Sequence, residues 1–268
     1  GTQTAAIIAV GGAPSPSDNV TELYDGTSWS DGNSCLTARE AGGAFGTQAA
    51  AMNTSGQSFL INESWDGTCW TEDNNPIVGR AEAATLGTQT AGMFNGGQTP
   101  PLGYVTLSET WNGTSYSEGN NLNGGRTGFV GAGTTSAGIV AAGGSPVGAS
   151  PTPSPKWDET ETWDGTSWTE VADCNTARSN LGGASAGTST AYLIFGGNQL
   201  PGTPSKLVEA WNGTSWSVEA DLAVARNVAG GSGTAIASIT MGGSPGVGKT
   251  ALTEEWTKPD AVITFTSS

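Results

Sequence analysis

The chain has 268 residues, of which 42 are glycine, 12% are charged and none is histidine. Glycine stands at about twice its usual share and charge at about half, which suits tight turns and short strands and argues against long surface helices. A net charge of −15 disfavours nucleic acid and anionic membranes as partners, and without imidazole the commonest general base, transition-metal ligand and catalytic triads are excluded.

From the N-terminus, the chain opens with Gly1-Thr-Gln-Thr-Ala, a string that returns at residues 87–91, so residue 1 falls inside a repeat and a preceding segment is expected. An apolar run to Gly11-Gly12 reads as a strand. After a Pro-containing connection, a second strand through Glu22 leads into Tyr24-Asp-Gly-Thr-Ser-Trp29. This hexapeptide returns at residues 65–70, 111–116, 163–168 and 211–216, at spacings of 41, 46, 52 and 48. Asp-Gly or Asn-Gly between aromatic β-formers predicts a hairpin on a two-residue type I′ turn, with positive φ at both central residues.

The other parts of the unit fall into register around the hairpin. A glutamate stands three residues before each turn, at Glu22, Glu63, Glu109, Glu161 and Glu209, and Glu254 precedes Trp256 where the pattern lapses. Ten residues after each second aromatic comes an arginine: Arg39, Arg80, Arg126, Arg178 and Arg226 are all the arginines present. A small-residue strand, a Gly-Thr pair and an apolar strand ending in Gly-Gly follow, as in residues 187–197. Each unit thus holds four strands: a after the arginine, b ending at Gly-Gly, c through the glutamate and d from the second aromatic.

Four short strands per repeat is the signature of a propeller blade, because a lone twisted sheet cannot bury both faces until neighbours flank it. Six Gly-Thr starts and six c-strand glutamates predict an all-β, six-bladed β-propeller, with five or seven blades as alternatives. The approximate blades are 1–36, 37–77, 78–123, 124–175, 176–223 and 224–268, with strand a absent from the first. The alternating tail Ala261–Ser268 is expected to help close the ring, as strand d of the last blade or as the missing strand of the first. Nine of the ten tryptophans occupy the aromatic repeat positions. Burying each removes roughly 150–250 Å² from water, about 4–6 kcal/mol as an upper bound.

The double glycines (Gly11-Gly12, Gly96-Gly97, Gly143-Gly144, Gly196-Gly197 and Gly242-Gly243), each followed by a spaced aromatic pair, give a repeat that resembles the kelch repeat over essentially the whole chain. It departs from that pattern in setting the aromatics only five apart and in lacking Gly-Gly in the second blade. The short form is similar to kelch-like repeats of bacteriophage and environmental bacterial surface proteins. The resemblance implies a propeller on a virion or cell surface, such as a tail fibre or adhesin.

Alternation of the strands puts the b–c and d–a connections on one face. The c–d turns are uniform, whereas the b–c segments vary in length and hold eleven of the thirteen prolines. Variable loops on a uniform frame point to a binding face. Tyr104 and Trp157 are aromatics outside the repeat positions, and Lys156, Lys206 and Lys249 lie in the same segments. These five residues are candidates for stacking on a sugar ring or meeting a protein surface, or else pack on their own blades. The arginines and glutamates are read as structural ion pairs within or between blades, with an anion-holding ring at the channel mouth as the alternative.

Other motifs carry less. Gly243-Ser-Pro-Gly-Val-Gly-Lys249-Thr250 satisfies the P-loop spacing, but a P-loop must open a helix and here strand c resumes, so nucleotide binding is not expected. The Asn112 and Asn212 glycosylation sequons are the repeat's own turns. The Asp-Gly-Thr-Ser-Trp turn also resembles the sialidase Asp-box without its intervening residue. A glycan-active hydrolase using two carboxylates about 5–10 Å apart is therefore the enzyme alternative, and a spacer in a fibre or coat the architectural one. Cys35, Cys69 and Cys174 lack metal-site spacing and read as buried free thiols. No cofactor or metal site is indicated, since no D-x-D-x-D calcium loop occurs. The expectation is a non-enzymatic extracellular or virion-surface protein that recognises carbohydrate or protein, in a larger assembly.

Overall fold

The computed structural model describes residues 1–11, 18–56, 60–99, 103–144, 158–199 and 202–258. Its six blades are antiparallel sheets, with no helix among those residues. Blade 1 is β1 (Ala6–Gly11), β2 (Asp18–Tyr24) and β3 (Trp29–Gly32). Blade 2 is β4 (Gly43–Thr47), β5 (Ala50–Thr54), β6 (Asn62–Trp65) and β7 (Trp70–Glu72). Blade 3 runs β8 (Ala84–Thr88), β9 (Ala91–Asn95), a small hairpin β10 (Gln98–Thr99) and β11 (Gly103–Tyr104), then β12 (Ser108–Trp111) and β13 (Tyr116–Glu118). Blade 4 is β14 (Val130–Thr134), β15 (Ala137–Ala141), β16 (Thr160–Trp163) and β17 (Trp168–Glu170). Blade 5 runs β18 (Gly182–Gly183), β19 (Tyr192–Phe195), the hairpin β20 (Asn198–Gln199) and β21 (Thr203–Pro204), then β22 (Val208–Trp211) and β23 (Trp216–Val218). Blade 6 is β24 (Gly230–Gly233), β25 (Ala237–Met241) and β26 (Thr253–Thr257).

The inner strands β4, β8 and β14, then β18, β24 and β1, contact one another in succession. The molecule is a six-bladed β-propeller with the arginine-led strands around its axis. Among the described residues, blade 1 has no strand a and blade 6 no strand d; the tail at 261–268 lies outside them.

Blade 1 meets blade 6 through the Trp29 indole N–H, which donates to Thr253 Oγ1 at 3.0 Å, and through Gly233 N–H to the Gly1 carbonyl at 3.3 Å. Equivalent indoles join the other blades: Trp70 to Thr21 at 2.9 Å, Trp168 to Ser108 at 3.1 Å and Trp216 to Thr160 at 3.0 Å. The partner is the residue just before the c-strand glutamate. In blade 5 that residue is the apolar Val208, buried with Trp256 and Phe195. Within a blade the two aromatics tilt together, as in Trp65 and Trp70 with ring centroids 5.4 Å apart.

Inner strands also exchange volume across blade boundaries. A Cβ on Gly92 of blade 3 would meet the Phe45 ring of blade 2, and one on Gly138 of blade 4 the Leu86 side chain of blade 3. Where blade 5 places Tyr192 at this position, blade 4 faces it with Ala132 in one cluster. Close packing tolerates either arrangement because the summed volume is similar.

The hairpin differs from the expected turn. Tyr24 pairs with Trp29, Asp25 N–H donates to the Ser28 carbonyl at 3.2 Å, and only Gly26 has positive φ, at 94°. The central pair is therefore Gly26-Thr27, with glycine first as in a II′ turn. The reason is the aspartate: Asp25 Oδ1 accepts the N–H groups of Thr27 and Ser28, both at 2.8 Å, which sets Asp25 one position earlier. Those backbone bonds hold the carboxyls of Asp25, Asp66 and Asp164 below the usual aspartate value.

Cys35 and Cys174 are buried, but Cys69 is exposed, because it replaces the turn serine in the second hairpin. The positive-φ pair that ends strand b is Ser55-Gly56 in blade 2 and Ala142-Gly143 in blade 4, so only its second member is glycine throughout. A Cβ there would come within 2.6 Å of the Ala81 carbonyl at Gly97 and 2.8 Å of the Ser179 carbonyl at Gly197.

Candidate functional site

The loop-bearing face is held by one repeated polar device. Glu63 of β6 accepts the Arg39 guanidinium at 2.5 Å and the N–H groups of Leu36 at 2.9 Å and Thr37 at 3.2 Å. Arg39 also donates to the Asn53 carbonyl at 3.0 Å. The same arrangement recurs for Arg80 with Glu109 at 2.5 Å and Arg178 with Glu209 at 2.7 Å, and for Arg126 with Glu161 and Arg226 with Glu254. Each pair lies within one blade and joins strand c to the d–a segment. Burial pushes the Arg80 and Arg178 guanidinium groups below their ordinary value, opposed by the facing glutamates. The arginine side chains are at most 2% exposed, so they do not present a cationic ring to the channel mouth.

Glu22 differs: among the described residues it is half-buried and has no ion pair.

Two residues beyond each arginine the backbone turns left-handed: Ala41 at φ 57°, Glu82 at 53°, Gly128 at 62°, Asn180 at 54° and Val228 at 51°. These residues are linked around the mouth. Glu82 N–H donates to the Ala41 carbonyl at 2.9 Å and Gly128 N–H to Glu82 at 3.1 Å. Asn180 N–H donates to Gly128 at 2.6 Å and Val228 N–H to Asn180 at 2.7 Å. Sequence reasoning missed this girdle because Ala, Glu, Gly, Asn and Val share no chemistry; only their constant offset from arginine could have revealed it.

Around the girdle stand the b–c segments. Tyr104 ends β11 and is half-buried; burial raises its phenol pKa, as does the charge of the girdle's Glu82. Glu82 in turn accepts the Thr127 hydroxyl at 2.7 Å. Lys206 and Lys249 are exposed in the corresponding segments of blades 5 and 6. No contact joins them to Tyr104 among the described residues, and Lys156 and Trp157 lie outside those residues. At the P-loop-like string, bends lead directly into β26, so no helix N-terminus faces Lys249.

Large apolar side chains gather at this end. Of the nine exposed ones among the described residues, Leu36, Ile77 and Val228 are on d–a segments and Leu60, Val247 and Leu252 on b–c segments. Val228 in the girdle is 68% exposed and Val247 is 93% exposed. The opposite end shows the short uniform hairpins and a–b turns. Among the described residues, no group of three or more Cys, Asp or Glu side chains is placed to hold a metal ion. No protein-family model matches the chain, and no curated protein is detectably similar to it.

Proposed function

We propose that the protein is a non-enzymatic, kelch-like recognition module of a virion or cell surface, such as a tail fibre or adhesin, which binds carbohydrate or a protein surface through its b–c face. The observation that carries this reading is the contrast between ends: among the described residues, six of nine exposed large apolar side chains lie on the end with unequal loops. Exposed apolar groups rimmed by polar ones mark interaction surfaces. Tyr104 beside the girdle and the exposed Lys206 and Lys249 add groups suited to a hydroxylated or acidic partner, and Lys156 and Trp157 are candidates from the sequence. Five of the six repeat glutamates are engaged by arginine, which argues against their serving as free catalytic carboxylates.

A glycan array and a panel of surface proteins test the proposal, using the intact chain and the Tyr104→Ala, Trp157→Ala and Lys206→Ala variants with melting curves for each. Binding that falls at least about tenfold in a folded variant supports recognition through this face. Binding unchanged in all three, or abolished by Ile236→Asp in an a–b turn of the opposite end, overturns it. Hydrolysis of an arrayed glycan would favour the enzyme alternative.

A further inference from the structure

Four asparagines stand directly before a glycine: Asn95, Asn112, Asn123 and Asn212. In such a pair the glycine nitrogen can attack the asparagine side-chain amide, because no Cβ hinders its approach. The fold gives these identical dipeptides unequal surroundings. Asn95, at the end of β9, is fully buried, its Oδ1 accepts the Ser108 hydroxyl at 2.8 Å, and Gly96 N–H is donated to the Leu107 carbonyl at 2.8 Å. Asn123 is exposed, but its Nδ2 donates to Glu161 Oε2 at 2.8 Å and to the Trp168 carbonyl at 3.2 Å. Negative charge developing on that amide would meet a carboxylate. Asn112 and Asn212 are exposed in the hairpins of blades 3 and 5. Asn112 Oδ1 accepts the N–H groups of Thr114 and Ser115, and Asn212 Oδ1 those of Thr214 and Ser215, all at 2.9 Å. Two backbone donors aimed at the oxygen that gains charge are the arrangement that stabilises an oxyanion. The product also fits: Asp25, Asp66 and Asp164 make the same two bonds, at 2.8 Å, in the other hairpins.

We propose that Asn112-Gly113 and Asn212-Gly213 are self-modification sites, at which solvent water converts asparagine to aspartate while Asn95 and Asn123 persist. The Gly113 nitrogen gives its proton to solvent and bonds to Cγ of Asn112, and the displaced electron pair rests on Oδ1 against the Thr114 and Ser115 N–H groups. The bond from Cγ to Nδ2 then breaks, and the nitrogen leaves as ammonia after taking a proton from solvent. Water opens the resulting succinimide. Attack at Cγ breaks its new bond to Gly113 and gives aspartate; attack at the main-chain carbonyl carbon breaks the original peptide bond and gives isoaspartate. One water is consumed, one ammonia is released and nothing is oxidised. Aspartate reproduces the hairpin of blades 1, 2 and 4, whereas isoaspartate lengthens the backbone between Trp111 and Gly113 and disturbs the pairing of Trp111 with Tyr116. Conversion at both sites takes the net charge from −15 to −17, all of the change on the hairpins. The proposal does not depend on what the loop face recognises.

The test holds the intact protein at mildly alkaline pH in heavy-oxygen water and follows, by fragment mass spectrometry, the label gained at each of the four asparagines. In the native protein Asn112 and Asn212 should convert at least about tenfold faster than Asn95 and Asn123, and in concentrated urea the four rates should fall within about threefold of one another. A native ratio below about tenfold overturns the proposal, and so does the same ratio persisting in urea, since the selection would then owe nothing to the fold. The double Asn112→Asp, Asn212→Asp variant should melt as the parent does at neutral pH. A clearly lower midpoint would overturn the claim that aspartate restores these hairpins.

Discussion

Blades 1 and 4 carry the same hairpin and the same c-strand glutamate, yet among the described residues only blade 4 has an arginine-led inner strand. In blade 4, Glu161 is buried against Arg126 and receives Asn123 N–H at 2.9 Å, and four of the five residues of β15 are buried. In blade 1, Glu22 is half-buried and so are Ile7, Ile8 and Ala9. The difference teaches that hairpin and aromatic pair suffice to form the outer three strands, and that the arginine segment orders the centre. The Arg126 guanidinium ties Glu161 of strand c to the Glu159 carbonyl just before that strand, while its backbone carbonyl accepts Gly97 N–H of the preceding blade.

Substitution at the glutamates gives the largest expected contrast. Glu209→Gln strands the buried Arg178 and is expected to cost about 3–5 kcal/mol in urea unfolding, whereas Glu22→Gln should stay within about 0.5 kcal/mol. Equal costs would show that Glu22 is paired in solution and blade 1 closed. Next comes the glycine that ends strand b. Gly97→Ala combines φ of 91° with a Cβ 2.6 Å from the Ala81 carbonyl, and about 2–3 kcal/mol is expected. Gly11→Ala in blade 1 meets nothing within 4 Å and should be close to neutral by the same unfolding measurement.

Removing one indole hydrogen bond should cost less. Trp168→Phe takes away the bond to Ser108 inside a buried seam, and about 1–2 kcal/mol is expected. Trp29→Phe removes the matching bond to Thr253 from a half-buried ring and should cost about half as much. A larger loss at Trp29 would mean that the seam between blades 6 and 1 is as tightly closed as the rest.

Much of this architecture is legible because it repeats. Glutamate and arginine recur at fixed offsets from the hairpin, so the blade count and the face that holds them can be read without coordinates. Three features are not legible, each for a physical reason. The turn shifts by one residue because the Asp25 carboxylate captures two backbone N–H groups, a competition invisible in an Asp-Gly dipeptide. The end of strand b in blade 4 falls on Ala142-Gly143 although the sequence reads Gly143-Gly144, since the second position is crowded by a carbonyl in each of blades 2 to 6 while the first admits Ser55 and Ala142. The girdle rests on backbone groups alone and leaves no residue-type signature. Among candidate binding residues, the structure brings Tyr104 to the girdle, while Lys206 and Lys249 share its face without touching it.

Thiol chemistry offers a finer probe of the frame. Burial pushes Cys35 up to about 11 and Cys174 up to about 12, from an ordinary value of 9.0. Both raised values favour the protonated folded state. Their stabilising contribution is therefore complete below pH 9.0 and is lost as pH rises toward about 11 and about 12. Alkaline unfolding should start later in a Cys174→Val variant. At neutral pH, iodoacetamide should modify the exposed Cys69 in the native protein and reach the other two thiols only after unfolding.

The smallest effect separates the hairpins themselves. Blades 1, 2 and 4 turn on Asp25, Asp66 and Asp164, while blades 3 and 5 turn on Asn112 and Asn212 with the same backbone bonds, as from Thr114 and Ser115 to Asn112 Oδ1 at 2.9 Å. The aspartates lie below their ordinary value of 3.8, chiefly because backbone N–H groups favour the ionised form. A lowered folded value contributes stability above the unfolded value, and that stability is lost as pH falls through the folded one. Acid weakening below pH 3.8 should therefore come partly from these three turns and not from the asparagine turns. The triple Asp25→Asn, Asp66→Asn and Asp164→Asn variant keeps each carbonyl acceptor, so its stability at pH 7 should scarcely move while its loss between about pH 4 and pH 2 becomes shallower. An unchanged acid slope would mean that the aspartates are as solvated in the folded hairpins as in the unfolded chain, and that the turn bonds add nothing the asparagines lack.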